Sequence, residues 1–338
     1  MKNFMIKLLT IVSVITIETC YVNYSYGQLQ LNEEWVARYD GNSIGEDDHA
    51  NDIAIDNDGY IYVIGGSTWQ YGYSCILIKY DPISGNKMWE QSLGGFYYNN
   101  KPKDIAVDGS GIYITGESTY FSDEADIFTV KYDLNGNLIW EKYYGNSKRE
   151  AAYGIAVCGD HVYVTGESDE GSVFENFDIL TICYRSSDGY KIWETTYDNG
   201  SNNYSTSIDV DDYCNVYVTG GSYEPGNGYD FITIRFNASD GFMKWEKRYD
   251  GTGILNNFDF GRDIIVKDGY VYVTGESYGS LTNYDYVTIK YSFALGTEMW
   301  PDVARYNGPV NDEDKPKAIT VDNNGNTYVT GTSYKNLQ

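Results

Sequence analysis

The chain has 338 residues, a formal net charge of -25, and 36 Tyr and 36 Gly against 6 Pro. So acidic a balance argues against DNA, RNA or anionic lipid as partners, because those are met by basic surfaces. An aromatic content of 16% argues against disorder and fits a β-rich protein.

Residues 1–27 read as an export signal. Lys2 and Lys7 give a positive start, and Met5 to Ile17 is mostly apolar but short for a bilayer span. Ser25-Tyr26-Gly27 then places small residues at a cleavage site, leaving Gln28 as the mature start. Cys20 follows Ile17-Glu18-Thr19, a poor lipobox. No second apolar stretch long enough to span a membrane follows, so the expected location is secreted, extracellular or cell-surface, with the periplasm as a further option.

Beyond the leader the chain repeats itself. Trp35, Trp89, Trp140, Trp193, Trp245 and Trp300 recur every 51–55 residues. A second ladder, Tyr-(Val/Ile)-(Thr/Ile)-Gly, places Gly65, Gly116, Gly166, Gly220, Gly275 and Gly331 at intervals of 50–56. Each unit predicts four short strands, in the first case Asp52–Asp56, Tyr60–Gly65, Cys75–Tyr80 and Lys87–Leu93. Tight turns such as Asn57-Asp58-Gly59 join strands one and two, and turns such as Ser187-Asp188-Gly189 join three and four. Four-stranded units of this length predict an all-β propeller of about six blades. The repeats run about 50–93, 103–144, 153–197, 205–250, 261–306, and 317–334 closed by 33–40, within one domain over 28–338. The last repeat has no counterpart of the third strand. Either a three-stranded blade closes the ring, or the sequence is part of a longer protein, the expectation slightly preferred. The Trp ladder is expected to seal adjacent blades.

These residues resemble a known family. Lys131-Tyr132-Asp133 to Trp140, then Gly145, then Tyr163-Val164-Thr165-Gly166 is similar to the bacterial SBBP-type β-propeller repeat, and the likeness extends over about 33–334. The resemblance implies a propeller from a secreted or surface-attached protein and no shared enzymatic role. The segment from Tyr80-Asp81-Pro82 to Trp89 is also similar to the tryptophan-docking motif of pyrroloquinoline-quinone dehydrogenases. Those enzymes have eight blades and usually a vicinal Cys pair, so the likeness here reads as shared blade packing.

The repeats serve as their own control: a residue that recurs serves the blade, and one that breaks the pattern is a site candidate. Asp126, Asp178, Asp230 and Asp285 precede third strands and are expected to tie down loops by hydrogen bonds. Glu117, Glu167 and Glu276 follow the Thr-Gly step, where Gly66, Gly221 and Thr332 stand in other units. Three glutamates near one rim could bind calcium, which takes six to eight oxygens, and no other cofactor is expected. Long connections are predicted over 65–74, 116–125, 166–177, 220–229 and 275–284, and between blades over 94–102, 145–152, 198–204 and 251–260. All emerge on one face and carry the candidate ligand-binding residues Trp69, Tyr71, Tyr120, Tyr223 and Tyr278 beside the three glutamates. Trp69 is the one Trp outside the ladder.

His49 and His161 are too few and too far apart for a zinc site. Cys158 and Cys214 lie at hairpin turns of adjacent blades, the one pairing that suggests a disulfide. Cys183 takes a slot held elsewhere by Lys79, Lys131, Arg235 and Lys290 and is expected to be exposed. The expected function is a non-catalytic binding module for an extracellular protein or a glycan, of unstated oligomeric order. The alternatives are a glycoside hydrolase or lyase using Glu117, Glu167 and Glu276, or a structural segment of a longer surface protein.

Overall fold

The computed structural model describes residues 4–7, 34–41, 47–69, 72–94, 98–120, 124–145, 148–169, 176–251, 257–279, 282–309 and 311–333. These residues form strands and turns with no helix, in antiparallel sheets that are the blades of a β-propeller. Blade 1 comprises Asp48–Ile55, Ile61–Trp69, Gly72–Tyr80 and Lys87–Gly94, paired in that order. Blades 2 to 5 repeat the meander, with first strands Tyr98–Asp108, Glu150–Cys158, Asn203–Val210 and Asn257–Lys267. Blade 6 is represented by Asp314–Val321 and Thr327–Ser333. The first strands of successive blades lie against one another, so they form the inner wall. Phe4–Lys7 pairs with Val36–Tyr39, while the rest of the expected leader falls outside the described residues.

One packing unit repeats at every interface. The strand-two Tyr of each blade, namely Tyr62, Tyr113, Tyr163, Tyr217 and Tyr272, is at most 2% exposed. Each lies 5.8–6.4 Å from the Trp of its own blade. The Trp reaches across to the next blade, where Trp140 Nε1 donates to Ser186 O at 2.9 Å and Trp193 Nε1 to Ala238 O at 2.9 Å. Trp35 does the same to Pro82 O at 3.1 Å, so Val36–Tyr39 stands as the outer strand of a blade before blade 1. The indoles of Trp35, Trp89, Trp140, Trp193 and Trp245 each lie on a turn glycine of the next blade, as Trp140 lies on Gly189 at φ +67°. A large apolar ring, with its N–H satisfied at Trp35, Trp140, Trp193 and Trp245, thus closes these seams.

The disulfide reading holds: Cys158 and Cys214 are bridged, with Cα atoms 5.5 Å apart. The exposure expected of Cys183 does not hold, because Cys183 is 0% exposed within the blade 3–blade 4 core. The slot is buried beside the Trp, and Lys79 and Lys131 are buried there too, at 7% and 5% exposure, with their ammonium groups bonded to the next blade. Lys131 Nζ reaches Ser186 O at 3.1 Å and Lys79 Nζ reaches Leu134 O at 3.2 Å. Burial pushes the thiols of Cys75 and Cys183 up to about 12, which makes both inert.

The loops are shorter than expected. Strands two and three of blade 1 continue to Trp69 and resume at Gly72, and the first strand of blade 2 begins at Tyr98. Every first strand carries a β-bulge at the same register, which breaks the alternation on which the strand reading relied.

Candidate functional site

The bulge sets up the site. One extra residue per first strand re-aims a side chain, and the six are Asn51, Lys103, Tyr153, Thr206, Arg262 and Lys317. No two neighbouring blades carry the same residue there, unlike the Trp and Tyr ladders. Four of them, Lys103, Tyr153, Thr206 and Arg262, line one cavity with Glu167, Tyr204, Ser205 and Phe260. Its volume is about 370 Å³.

The cavity has aromatic walls. Tyr204 lies 6.5 Å from Phe260 and 5.8 Å from Tyr229, and Tyr229 lies 5.2 Å from Tyr223. The rings thus run from the cavity to Tyr223 at the end of the blade 4 hairpin. Gly221 is what admits Phe260, since a Cβ at that position would collide with the ring. In blades 2, 3 and 5 the same position holds Glu117, Glu167 and Glu276.

Those three glutamates are 9%, 3% and 7% exposed, and each has a cation. Arg149 pairs with Glu167 and lies 3.8 Å from Glu117, and Lys101 pairs with Glu117 at 3.0 Å. Tyr153 donates to Glu167 at 2.8 Å. Arg262 pairs with Glu276, whose second oxygen is buried without a hydrogen bond. Burial raises the Glu117 carboxyl, but Lys101, Lys103 and Arg149 outweigh it and hold the group below the usual range. At Glu167 burial outweighs Arg149 and Tyr153, and the carboxyl lies above its usual range. The cations therefore fix the carboxylates and present guanidinium, ammonium and phenol groups toward the cavity.

A further set of acids lies on the inner strands. Asp104 accepts from Ile155 N at 2.7 Å, Asp209 from Val266 N at 2.7 Å and Asp263 from Ile319 N at 2.8 Å, each reaching the next blade. Asp52 likewise accepts from Ile105 N at 3.2 Å. Burial raises Asp104 well above the carboxylate range, helped by hydrogen bonding to Asp52, and pushes Asp209 up to about 6. These bonds staple blades together. Asp230 and Asp285 instead tie third to fourth strands within their own blades, paired with Arg248 at 3.2 Å and Arg305 at 2.7 Å. Among the described residues no group of three or more His, Cys, Asp or Glu is placed to hold a metal ion.

The other expected residues stand apart from the cavity lining. Trp69 ends its strand opposite Gly72, and its side chain, like all of Tyr71, lies outside the described residues. Tyr120 lies 5.0 Å from Tyr98, and Tyr278 lies 5.5 Å from Tyr284, each as a cross-strand pair within its own blade. Glu167 lines the cavity, Glu276 is tied to its Arg262, and Tyr223 joins it through Tyr229. Sequence reasoning missed Lys103, Tyr153, Tyr204, Thr206, Phe260 and Arg262. The signal that could have found them is the variable residue just before each Asp/Gly/Ser/Ala-Ile step, as in Lys103-Asp104-Ile105 and Arg262-Asp263-Ile264.

The SBBP beta-propeller repeat family matches residues 305–338. No curated protein sequence matches the chain. Among solved structures, the quinohemoprotein alcohol dehydrogenase from Comamonas testosteroni aligns at 13% identity with a TM-score of 0.44, over 68% of this chain and 39% of that one. Among the described residues no helix is long and apolar enough to cross a membrane.

Proposed function

We propose that the protein is a non-catalytic, extracellular glycan-binding module whose ligand sits in the cavity among blades 2 to 5. The observation that carries this reading is the pairing of aromatic faces with fixed polar groups in one concave site of about 370 Å³. Phe260 and Tyr204 offer faces for the apolar side of a sugar ring. Arg262, Lys103 and Tyr153 offer donors for hydroxyl or carboxylate oxygens, and Thr206 stands between them. Arg262 lies over the Phe260 ring, with its guanidinium carbon 4.8 Å from the centroid, which holds both groups in place. Preorganised partners of this kind lower the ordering cost of binding.

The geometry favours binding over hydrolysis. A glycosidase needs one carboxylic acid and one free carboxylate flanking a bond. Here Glu117 and Glu167 share Arg149, and Glu276 is taken by Arg262.

The test is a glycan-array screen of the full chain, with calcium present and chelated. The reading expects saturable binding to one sugar class, weakened about tenfold by Phe260→Ala through loss of one stacking contact. Binding unchanged in Phe260→Ala and Arg262→Ala would place the ligand elsewhere, and no binding to any glycan would overturn the reading.

A further inference from the structure

The cavity among blades 2 to 5 carries one positive charge more than the glutamates around it cancel. Glu117 has Lys101, Glu167 has Arg149 and Glu276 has Arg262. Lys103 is the cation left over. Among the described residues its ammonium makes no hydrogen bond and no ion pair, and it stands 5.8 Å from the centroid of the Tyr153 ring. Its charge reaches Glu117 as a field, which joins Lys101 and Arg149 in holding that carboxyl low. Arg262 gives one terminal nitrogen, Nη2, to Glu276, and among the described residues its Nε and Nη1 have no acceptor.

The register that supplies these groups leans basic. The six bulge residues include Lys103, Arg262 and Lys317 and no acid, in a chain with 24 Lys and Arg against 49 Asp and Glu. The inner-strand acids beside them do not offset this. Asp52, Asp104 and Asp263 each accept a main-chain N–H of the next blade, and none of them lines the cavity. Burial also favours the neutral forms of Asp104 and Asp263.

An ammonium without a partner loses hydration when a ligand closes over it, and a neutral sugar returns only hydroxyl oxygens. A carboxylate returns charge-assisted hydrogen bonds, and its two oxygens suit an ammonium and a guanidinium together. The excess is a single cation, and the rest of a molecule at net charge -25 repels polyanions. The ligand that fits therefore carries one carboxylate among uncharged rings.

We propose that the cavity selects an oligosaccharide bearing a single uronic acid, whose carboxylate is held by Lys103 and Arg262 beside the aromatic wall of Tyr204 and Phe260. This assignment rests on the reading of the cavity as a glycan site and names the sugar class it takes.

The probes are short oligosaccharides of xylose, glucose or galactose that carry one glucuronate or galacturonate. Each is paired with its methyl ester, which keeps the ring and hydroxyls and removes the charge. Both members of each pair are titrated into the full chain by calorimetry. At least one acid is expected to bind about tenfold more tightly than its ester. Lys103→Gln should abolish that preference, Lys103→Arg should keep it, and Phe260→Ala should weaken acid and ester together. Lys103 makes no bond within the fold, so Lys103→Gln is expected to melt as the wild type does. An ester that binds as tightly as its acid, with both weakened by Phe260→Ala, would overturn the carboxylate assignment and leave the glycan site standing. An acid preference that survives Lys103→Gln would overturn it as well, because the carboxylate then lies elsewhere. If neither acids nor esters bind while a neutral glycan does, the assignment alone falls. If no glycan of any kind binds, the glycan reading falls with it.

Discussion

Replacing Gly189 by Ala tests the seam between blades 2 and 3 at one atom. Gly189 has φ +67°, and an added Cβ would lie 2.9 Å from Trp140 Cδ2 and 2.6 Å from Lys142 Cε. Gly159 is its control: its φ is +58°, yet a Cβ there meets nothing within 4 Å. Both substitutions carry the cost of a left-handed residue, about 1–2 kcal/mol. Gly189→Ala alone adds the strain of pressing a methyl into a closed seam, about 1–3 kcal/mol. Gly159→Ala is therefore expected to cost about 1.5 kcal/mol and Gly189→Ala about 3.5 kcal/mol, taking the centres of those ranges. At about 2.1 cal/mol/K of unfolding entropy per residue, 1 kcal/mol moves the melting temperature of a chain this long by about 1.4 °C. The expected falls are then about 2 °C for Gly159→Ala and about 5 °C for Gly189→Ala, read by thermal unfolding with intrinsic Trp fluorescence. Equal falls in the two variants would refute the claim that the indole and the turn glycine form a tight interblade contact.

Three more outcomes follow from the packing and the site. Cys158→Ser with Cys214→Ser opens a loop of 56 residues in sequence separation, which the chain-entropy account values at about 4 kcal/mol, so urea unfolding should show a loss of that order. Asp209 holds its proton to about pH 6 in the folded state, above the ordinary Asp value of an unfolded chain. Its contribution to stability is therefore full at low pH and is lost as pH rises through about 6, so the stability of wild type relative to Asp209→Asn should rise from pH 7 to pH 4. Gly221→Ala should displace the Phe260 ring and weaken glycan binding while the near- and far-ultraviolet dichroism of the fold stays native.

Much of the fold was legible because it repeats. The Trp and Tyr-Val-Thr-Gly ladders carry large apolar residues whose burial is required in every blade, so their spacing reports the architecture directly. The turn glycines were legible as turns, but not as the floor on which each indole lies. Cys183 was misread because Lys and Arg in its slot suggest a surface, while Lys79 and Lys131 lie buried with their ammonium groups bonded to a turn of the next blade. The site was harder to see. A bulge interrupts the period-two pattern, so the residues before Asp52, Asp104 and Asp263 read as loop although they continue the strand. The cavity-lining residues Lys103, Tyr153, Thr206 and Arg262 fall on that interruption in blades 2 to 5. Glu117, Glu167 and Glu276 were found because they break the repeat, whereas their partners Arg149 and Arg262 could be assigned only once the strands were paired in register.

The most direct measurement is a crystal structure of the full chain soaked with an oligosaccharide selected on the array. The account predicts a sugar ring against Phe260 or Tyr204, with oxygens within hydrogen-bond distance of Arg262 or Lys103. A sugar resting on Tyr120, on Tyr278 or on the outer strands, with the cavity among blades 2 to 5 left without it, would contradict the account.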